Sequence, residues 1–280
     1  MSRRTRWSLH LQRALSHLFF PVIGSVAVLI LRCWGCRVQN LRQIRQQFAE
    51  IIRQERGPLL ICGNHLTKID SAMIAWVLAS NWTYFTRFRV FPWNIPEWAN
   101  YKHSRLQRVV CYLTKCIPMR RESAEQTKEL LEKLEYQLSR GDAVSIFPEG
   151  RRSRTGRLDM EDFGYGVGQI AQKVEGTKIV CVYLRCSQQE AVSSMPPRHD
   201  DVYVDLRVVT TETERGGLRG AREISTRTMN ALHEMEQKYF ADEPSGETRP
   251  EPTGDSNEPG TDNAIPAGVT LPQVETSSST

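Results

Sequence analysis

Three short apolar runs constrain this chain most: residues 58–62 (PLLIC), 143–147 (AVSIF) and 179–184 (IVCVYL). Each is shorter than an ordinary helix, and each suits a strand buried on both faces. Helical patterns separate them. Residues 123–140 are the clearest: Ser123 and Gln126 offer a capping box, Thr127, Leu130, Leu131, Leu134 and Leu138 line one face, and Gly141 stops the helix. Residues 69–80 predict an apolar helix opened by a turn, and residues 218–239 a last amphipathic helix. In residues 202–208, apolar Val202, Val204, Leu206 and Val208 alternate with Tyr203, Asp205 and Arg207, as in a half-buried or edge strand. Residues 82–88 read as a further strand. Strands separated by helices imply an α/β fold with a mixed, mostly buried sheet flanked by helices.

The two ends differ from this body. Residues 18–31 (LFFPVIGSVAVLIL) are apolar, with Arg3, Arg4, Arg6 and Arg13 before them and Arg32, Arg37, Arg42 and Arg45 after. A full membrane span needs roughly 20 apolar residues; this run is shorter and holds Pro21 and Gly24. A helix lying in or re-entering the bilayer interface, its cations on lipid head groups, fits best; a buried core helix and a tilted span are the alternatives. From residue 241 the chain is rich in Pro, Gly, Ser, Thr and acid, with too little apolar surface to offset the entropy of ordering. Residues 1–45 are therefore expected to be a membrane-associating helical segment, 46–240 the α/β domain, and 241–280 a disordered acidic tail.

Eight acidic residues and Arg249 give the tail a net charge of −7, so an overall +5 leaves +12 on the body. A basic body calls for an anionic partner: nucleic acid, an anionic bilayer or a phosphorylated substrate. No nucleic-acid-binding motif is present, which argues against the first. The seven cysteines are scattered, and no cleavable secretory signal is evident, so a reducing compartment is expected. Cys33 and Cys36 form one CxxC without a second pair at zinc spacing, so no metal site is expected.

Two of the apolar runs lead directly into chemically loaded loops. Residues 63–70 (GNHLTKID) leave a strand and enter a helix, the place where ligands collect in α/β sheets. His65 and Asp70 are five apart, within reach across such a turn. An Asp that accepts from one imidazole nitrogen fixes the tautomer and makes the other nitrogen the better base. Residues 147–156 (FPEGRRSRTG) set Glu149 among Arg151, Arg152, Arg154 and Arg157, with Gly150 allowing close backbone approach. Residues 117–121 (IPMRR) bring Arg120 and Arg121 just before the capped helix. Cys62 sits near His65 but inside the predicted strand, and reads as core.

Taken in order, these segments resemble the glycerolipid acyltransferase family, which includes the 1-acylglycerol-3-phosphate acyltransferases. The matching elements are Asn64-His65 with Asp70 (NHxxxxD), Ile117 to Arg121, Phe147-Pro148-Glu149-Gly150-Arg151-Arg152-Ser153 (FPEGxRS) and the strand at 179–184; together they cover residues 57–184. The resemblance implies an O-acyltransferase anchored to the cytoplasmic face of a membrane, with no cofactor and no metal. Its acyl donor would be acyl-CoA or acyl-carrier-protein, and its acceptor a lysophospholipid, foremost 1-acylglycerol 3-phosphate. His65 would be the general base and Asp70 its orienting partner; Asn64, Thr67, Lys68, Arg121, Glu149, Gly150, Arg151 and Arg152 would bind substrate.

Three positions depart from the family pattern. Arg151 stands where Thr is usual, Gly164 where an F-K-x-G element has Lys, and Cys181 where the last strand motif has Pro. None belongs to the His–Asp pair, so the departures bear on the acceptor more than on the chemistry. Another lysolipid, or a pathway-specific hydroxyl, is the alternative acceptor. A non-catalytic lipid-binding protein of the same fold is the alternative from another class.

Overall fold

The apolar runs lie side by side at the centre of the molecule. In a computed structural model of the protein, residues 1–54, 57–120 and 123–242 are described. Arg121 and all of the expected tail beyond Asp242 lie outside them. Helices are Arg3–Trp34 (α1), Leu41–Gln54 (α2), Asp70–Leu78 (α3), Asn81–Thr86 (α4), Arg105–Leu113 (α5), Ala124–Ser139 (α6), Gly166–Lys173 (α7) and Gly217–Asp242 (α8). Strands are Arg37–Val38 (β1), Leu59–Gly63 (β2), Val144–Ile146 (β3), Lys178–Cys186 (β4) and Asp201–Val209 (β5). The sheet order is β1-β5-β4-β2-β3, with β4 and β5 antiparallel and every other neighbouring pair parallel.

Side-chain alternation along the strands makes two cores. Leu59 and Ile61 join Val180, Val182 and Leu184 in a cluster with α2 and α3, while Leu60 and Cys62 join Ile179, Cys181 and Tyr183 against α6, α7 and α8. The fold is thus a mixed α/β sheet covered by helices on both faces. In α6, Ser123 caps the helix by accepting from Gln126 N at 3.2 Å, and Leu130, Leu134 and Leu138 are buried. Thr127 is exposed, so the buried stripe begins one turn later than the sequence pattern suggests. In β5, Val202, Val204 and Leu206 are buried while Tyr203 and Asp205 are only half-buried, as alternation requires, but the pattern breaks at the strand's end, where Val208 is exposed and Val209 buried.

Residues 82–88 do not form the expected strand. They belong to α4 and the turn after it, because Ser80 caps a short helix by accepting from Thr83 N at 3.1 Å. Tyr84 is buried there and donates its hydroxyl to Ala75 O at 2.9 Å, so packing overrides aromatic strand preference. The boundary expected at 45/46 falls inside α2, whose Ile44 and Phe48 are buried in the main core.

α1 runs for 32 residues, far past the apolar stretch read from the sequence, and is long and apolar enough to cross a membrane. One side of it is docked on the body along its length. Leu9, Gln12, Ser16, Phe20 and Leu31 are buried. His10 bonds the Tyr136 hydroxyl at 2.9 Å, Gln12 donates to Tyr112 O and Cys116 O, and Trp34 donates to Pro196 O at 2.8 Å. Phe20 packs into a ring cluster with Tyr84, Phe88 and Phe91.

Lys115, wholly buried, ends α5 in a left-handed conformation (φ 56°). Cys116 N closes the turn by donating to Cys111 O at 3.0 Å, an arrangement usually given to glycine. The strain is offset by what the Lys115 ammonium reaches: Phe91 O at 2.6 Å and Asp142 Oδ1 at 3.2 Å. Arg13 of α1 donates to the same Asp142 oxygen at 3.0 Å. Burial lowers the Lys115 pKa to about 8, against the pull of Asp142. Beyond β3, Trp93 pairs in parallel with Val144, Asn94 with Cys116, and Glu97 with Met119, so residues 93–97 and 116–119 extend the sheet irregularly toward its carboxyl end.

Candidate active site

The carboxyl ends of adjacent strands β2 and β3 release the two loops that the sequence singled out. Asn64 continues the strand by side-chain mimicry. Its amide donates to Leu184 O at 2.9 Å and accepts from Leu184 N at 2.8 Å, prolonging the β2–β4 pairing by one residue. The chain then turns so that Asp70, first residue of α3, faces back on it. Asp70 Oδ2 accepts from Leu66 N (2.6 Å), Thr67 N (2.8 Å) and His65 Nδ1 (2.9 Å), while Oδ1 accepts from the Thr67 hydroxyl. A carboxylate so surrounded by donors is held in one orientation, and the helix N-terminus favours its charge.

His65 follows from this arrangement. The ring nitrogen facing Asp70 is the donor, so its lone pair sits on Nε2. Nε2 has no hydrogen-bond partner among the described residues, and the side chain is 21% exposed. Phe147 stacks on the imidazole at 4.2 Å between ring centroids, with 15° between planes, fixing the ring from one side.

The second loop grips the same residue from its backbone. Glu149 Oε1 accepts from His65 N at 3.0 Å, and Ser153 N donates to His65 O at 2.9 Å. Gly150 turns the loop between these two contacts at φ 66°, a conformation that favours glycine. Glu149 is buried, and desolvation pushes its carboxyl up to about 8, with nearby Glu236 and Asp159 adding to the rise. At neutral pH it is therefore mainly protonated. Glu236 itself is buried on the inner face of α8 and accepts from Leu158 N at 3.1 Å, supporting the loop from below.

The residues singled out from sequence thus divide. His65, Asp70, Asn64, Thr67 and Glu149 form one bonded unit around the turn. Asn64 and Thr67 spend their side chains inside the fold, on Leu184 and Asp70. Arg151 is held by Asp159 (2.6 Å) and Asp162 (2.9 Å), so its charge is compensated within its own loop. Lys68 is exposed and Arg152 half-buried, and neither has an ion pair or hydrogen bond among the described residues. Arg121 lies outside those residues; Arg120, just before it, sits 5.0 Å over the Trp98 ring. Cys62 is fully buried in β2, its thiol pushed well above the ordinary value by desolvation, and offers no nucleophile. The contacts of Leu184, Ser153 and Glu236 escaped sequence reasoning, although Leu184 and Ser153 lie in the matched strand and FPEGxRS segments. Glu236 carried a signal of another kind, as an acid on the apolar stripe that holds Leu232, Met235 and Tyr239.

Residues 35–185 match the protein family described as Acyltransferase, more than half of the chain, and the match spans every element of the unit around His65. The chain belongs to the acyltransferase family. Its general activity is therefore acyl transfer. Comparison with curated proteins gives no match.

Proposed function

We propose that this acyltransferase moves a fatty acyl group from acyl-CoA or acyl-carrier-protein to the hydroxyl of a lysophospholipid, foremost 1-acylglycerol 3-phosphate, at the cytoplasmic face of a membrane. The observation that carries the reading is His65: one ring nitrogen tied to Asp70, the other without a partner among the described residues, in a loop gripped by Glu149 and Ser153.

The acceptor hydroxyl gives its proton to His65 Nε2 as its oxygen attacks the thioester carbonyl. Asp70 stabilises the imidazolium that results. The tetrahedral intermediate collapses by breaking the carbon–sulfur bond, and the leaving thiolate takes the proton back from Nε2. No enzyme-bound acyl intermediate is needed. Glu149, mainly protonated at neutral pH, keeps the His65 peptide in place without setting a second negative charge beside an anionic acceptor. Lys68 and Arg152, free of partners among the described residues, are the cations for the acceptor phosphate, with Arg121 joining them. Arg151 is assigned to bracing the loop, since Asp159 and Asp162 hold it.

The test is release of thiol from acyl-CoA and from acyl-carrier-protein by purified protein offered a panel of lysolipids. His65→Ala and Asp70→Asn are expected to lower turnover about 10²–10⁴-fold while leaving the melting curve near wild type. Equal thiol release by wild type and His65→Ala would remove His65 as base. Turnover confined to an acceptor without a phosphate would remove the lysophosphatidate assignment.

A further inference from the structure

Exposed large apolar side chains are concentrated on one part of this molecule. Of the 17 among the described residues, eight lie on α1, two on α4 (Trp82 and Phe85) and three on α5 (Leu106, Val109 and Val110). α4 and α5 both pack against α1, so the three helices that carry these residues form one connected part of the surface. α5 buries none of its residues although its apolar and polar positions are well segregated. A helix with such a face left open is built for a non-aqueous neighbour.

Charge says which neighbour. α1, α4 and α5 together contain no Asp or Glu, whereas Arg3, Arg4, Arg6, Arg32, Arg105 and Arg108 are all exposed on them. Glu132 of α6 pairs with the chain's N-terminal ammonium at 3.4 Å beside the start of α1, but the three helices themselves carry cations without acids, and an apolar surface so charged complements an anionic bilayer. A second copy of the same face would bring arginines against arginines.

The docking of α1 determines how it meets that bilayer. Near its start His10 bonds Tyr136 of α6, and at its end Trp34 bonds Pro196, so both ends are held by the same water-facing body. A spanning helix would have to carry one of those ends across the hydrocarbon with its partners attached, which polar backbone and charged loops forbid.

We propose that α1, α4 and α5 form one platform that embeds flat in a single leaflet of an anionic membrane, with Trp82, Leu106, Val109 and Val110 inserted beside the outer face of α1. This deepens the membrane-surface reading above by naming the lipid charge, the topology and two helices outside the N-terminal segment. It leaves the base chemistry untouched.

The experiment uses the full chain and vesicles of phosphatidylcholine with or without phosphatidylglycerol. The double variant L106E/V109E is compared with V208E, which alters an exposed valine of β5 outside the platform. L106E/V109E is expected to bind phosphatidylglycerol vesicles at least about tenfold more weakly, with unchanged circular dichroism, while V208E binds as wild type. Wild type is expected to bind pure phosphatidylcholine weakly and to lose anionic-vesicle binding in high salt. Tags at both termini should be equally accessible to external protease. Undiminished binding of L106E/V109E, or protection of one tag, would overturn the proposal. So would a dimer dissociated by L106E/V109E together with no vesicle binding by wild type. Thiol release measured separately in detergent keeps failure of the platform distinct from failure of the acyl-transfer mechanism.

Discussion

Glu149 shows how much a single buried side chain can add to a site. Its carboxyl, near 8 through burial, accepts the His65 amide, so the folded protein binds a proton that the unfolded chain releases near 4.5. The folded pKa is raised, so this contribution to stability is complete below about 4.5 and is lost as pH rises through about 8. Glu149→Gln cannot ionise and should remove that dependence. Between pH 5 and 8 the stability of wild type is expected to fall relative to Glu149→Gln, at most by about 1.4 kcal/mol per pH unit. Urea unfolding of both proteins in detergent across this range checks it, and parallel curves would contradict the assigned burial effect.

At the scale of elements, Asp142 joins three parts of the fold: it precedes β3, takes the Lys115 ammonium that ends α5, and takes Arg13 of α1. Asp142→Asn leaves a buried ammonium without its counter-charge, and a loss of about 3–5 kcal/mol is expected in chemical denaturation. A second contact of this kind is steric. A Cβ on Gly168 of α7 would come within 1.9 Å of Ala221 O on α8, so this helix pair can approach only because position 168 has no side chain. Much of this level was legible beforehand. The Ser123 cap, the strand runs and the alternation from Val202 to Leu206 in β5 come from local patterns that the tertiary structure leaves in place. α4 was not legible: Trp82 and Tyr84 alternate like a strand, and the Ser80 cap together with the packing of Tyr84 under Ala75 decides for helix. Within the site, the order His65, Asp70, Glu149 was legible through motif resemblance. The Leu184 clamp, the Ser153 contact and the burial of Lys115 were not, since each depends on residues remote in sequence meeting at a sheet edge or helix end.

For the whole molecule, α1 is an integral layer as well as the proposed membrane element. Read from sequence, residues 1–45 looked separable from the body. The structure instead buries Phe20 among Tyr84, Phe88 and Phe91 and ties Arg13 to Asp142. Deleting residues 1–35 is therefore expected to cost at least the ~3–5 kcal/mol of removing one buried aromatic. It should yield protein that aggregates or melts well below wild type even in detergent. A truncated chain with an unchanged melting temperature would show that the helix is dispensable to the fold.

The grip of Glu149 and Ser153 on the His65 peptide has a consequence for synthesis on the ribosome. The first 140 residues already contain His65 and Asp70, but the loop that holds the His65 backbone, residues 147–153, is not yet made. The proposed base becomes rigid only when β3 has taken its place beside β2. On the proposed mechanism, a half-made chain thus lacks a complete catalyst and does not spend activated acyl groups on water before the proposed acceptor site exists.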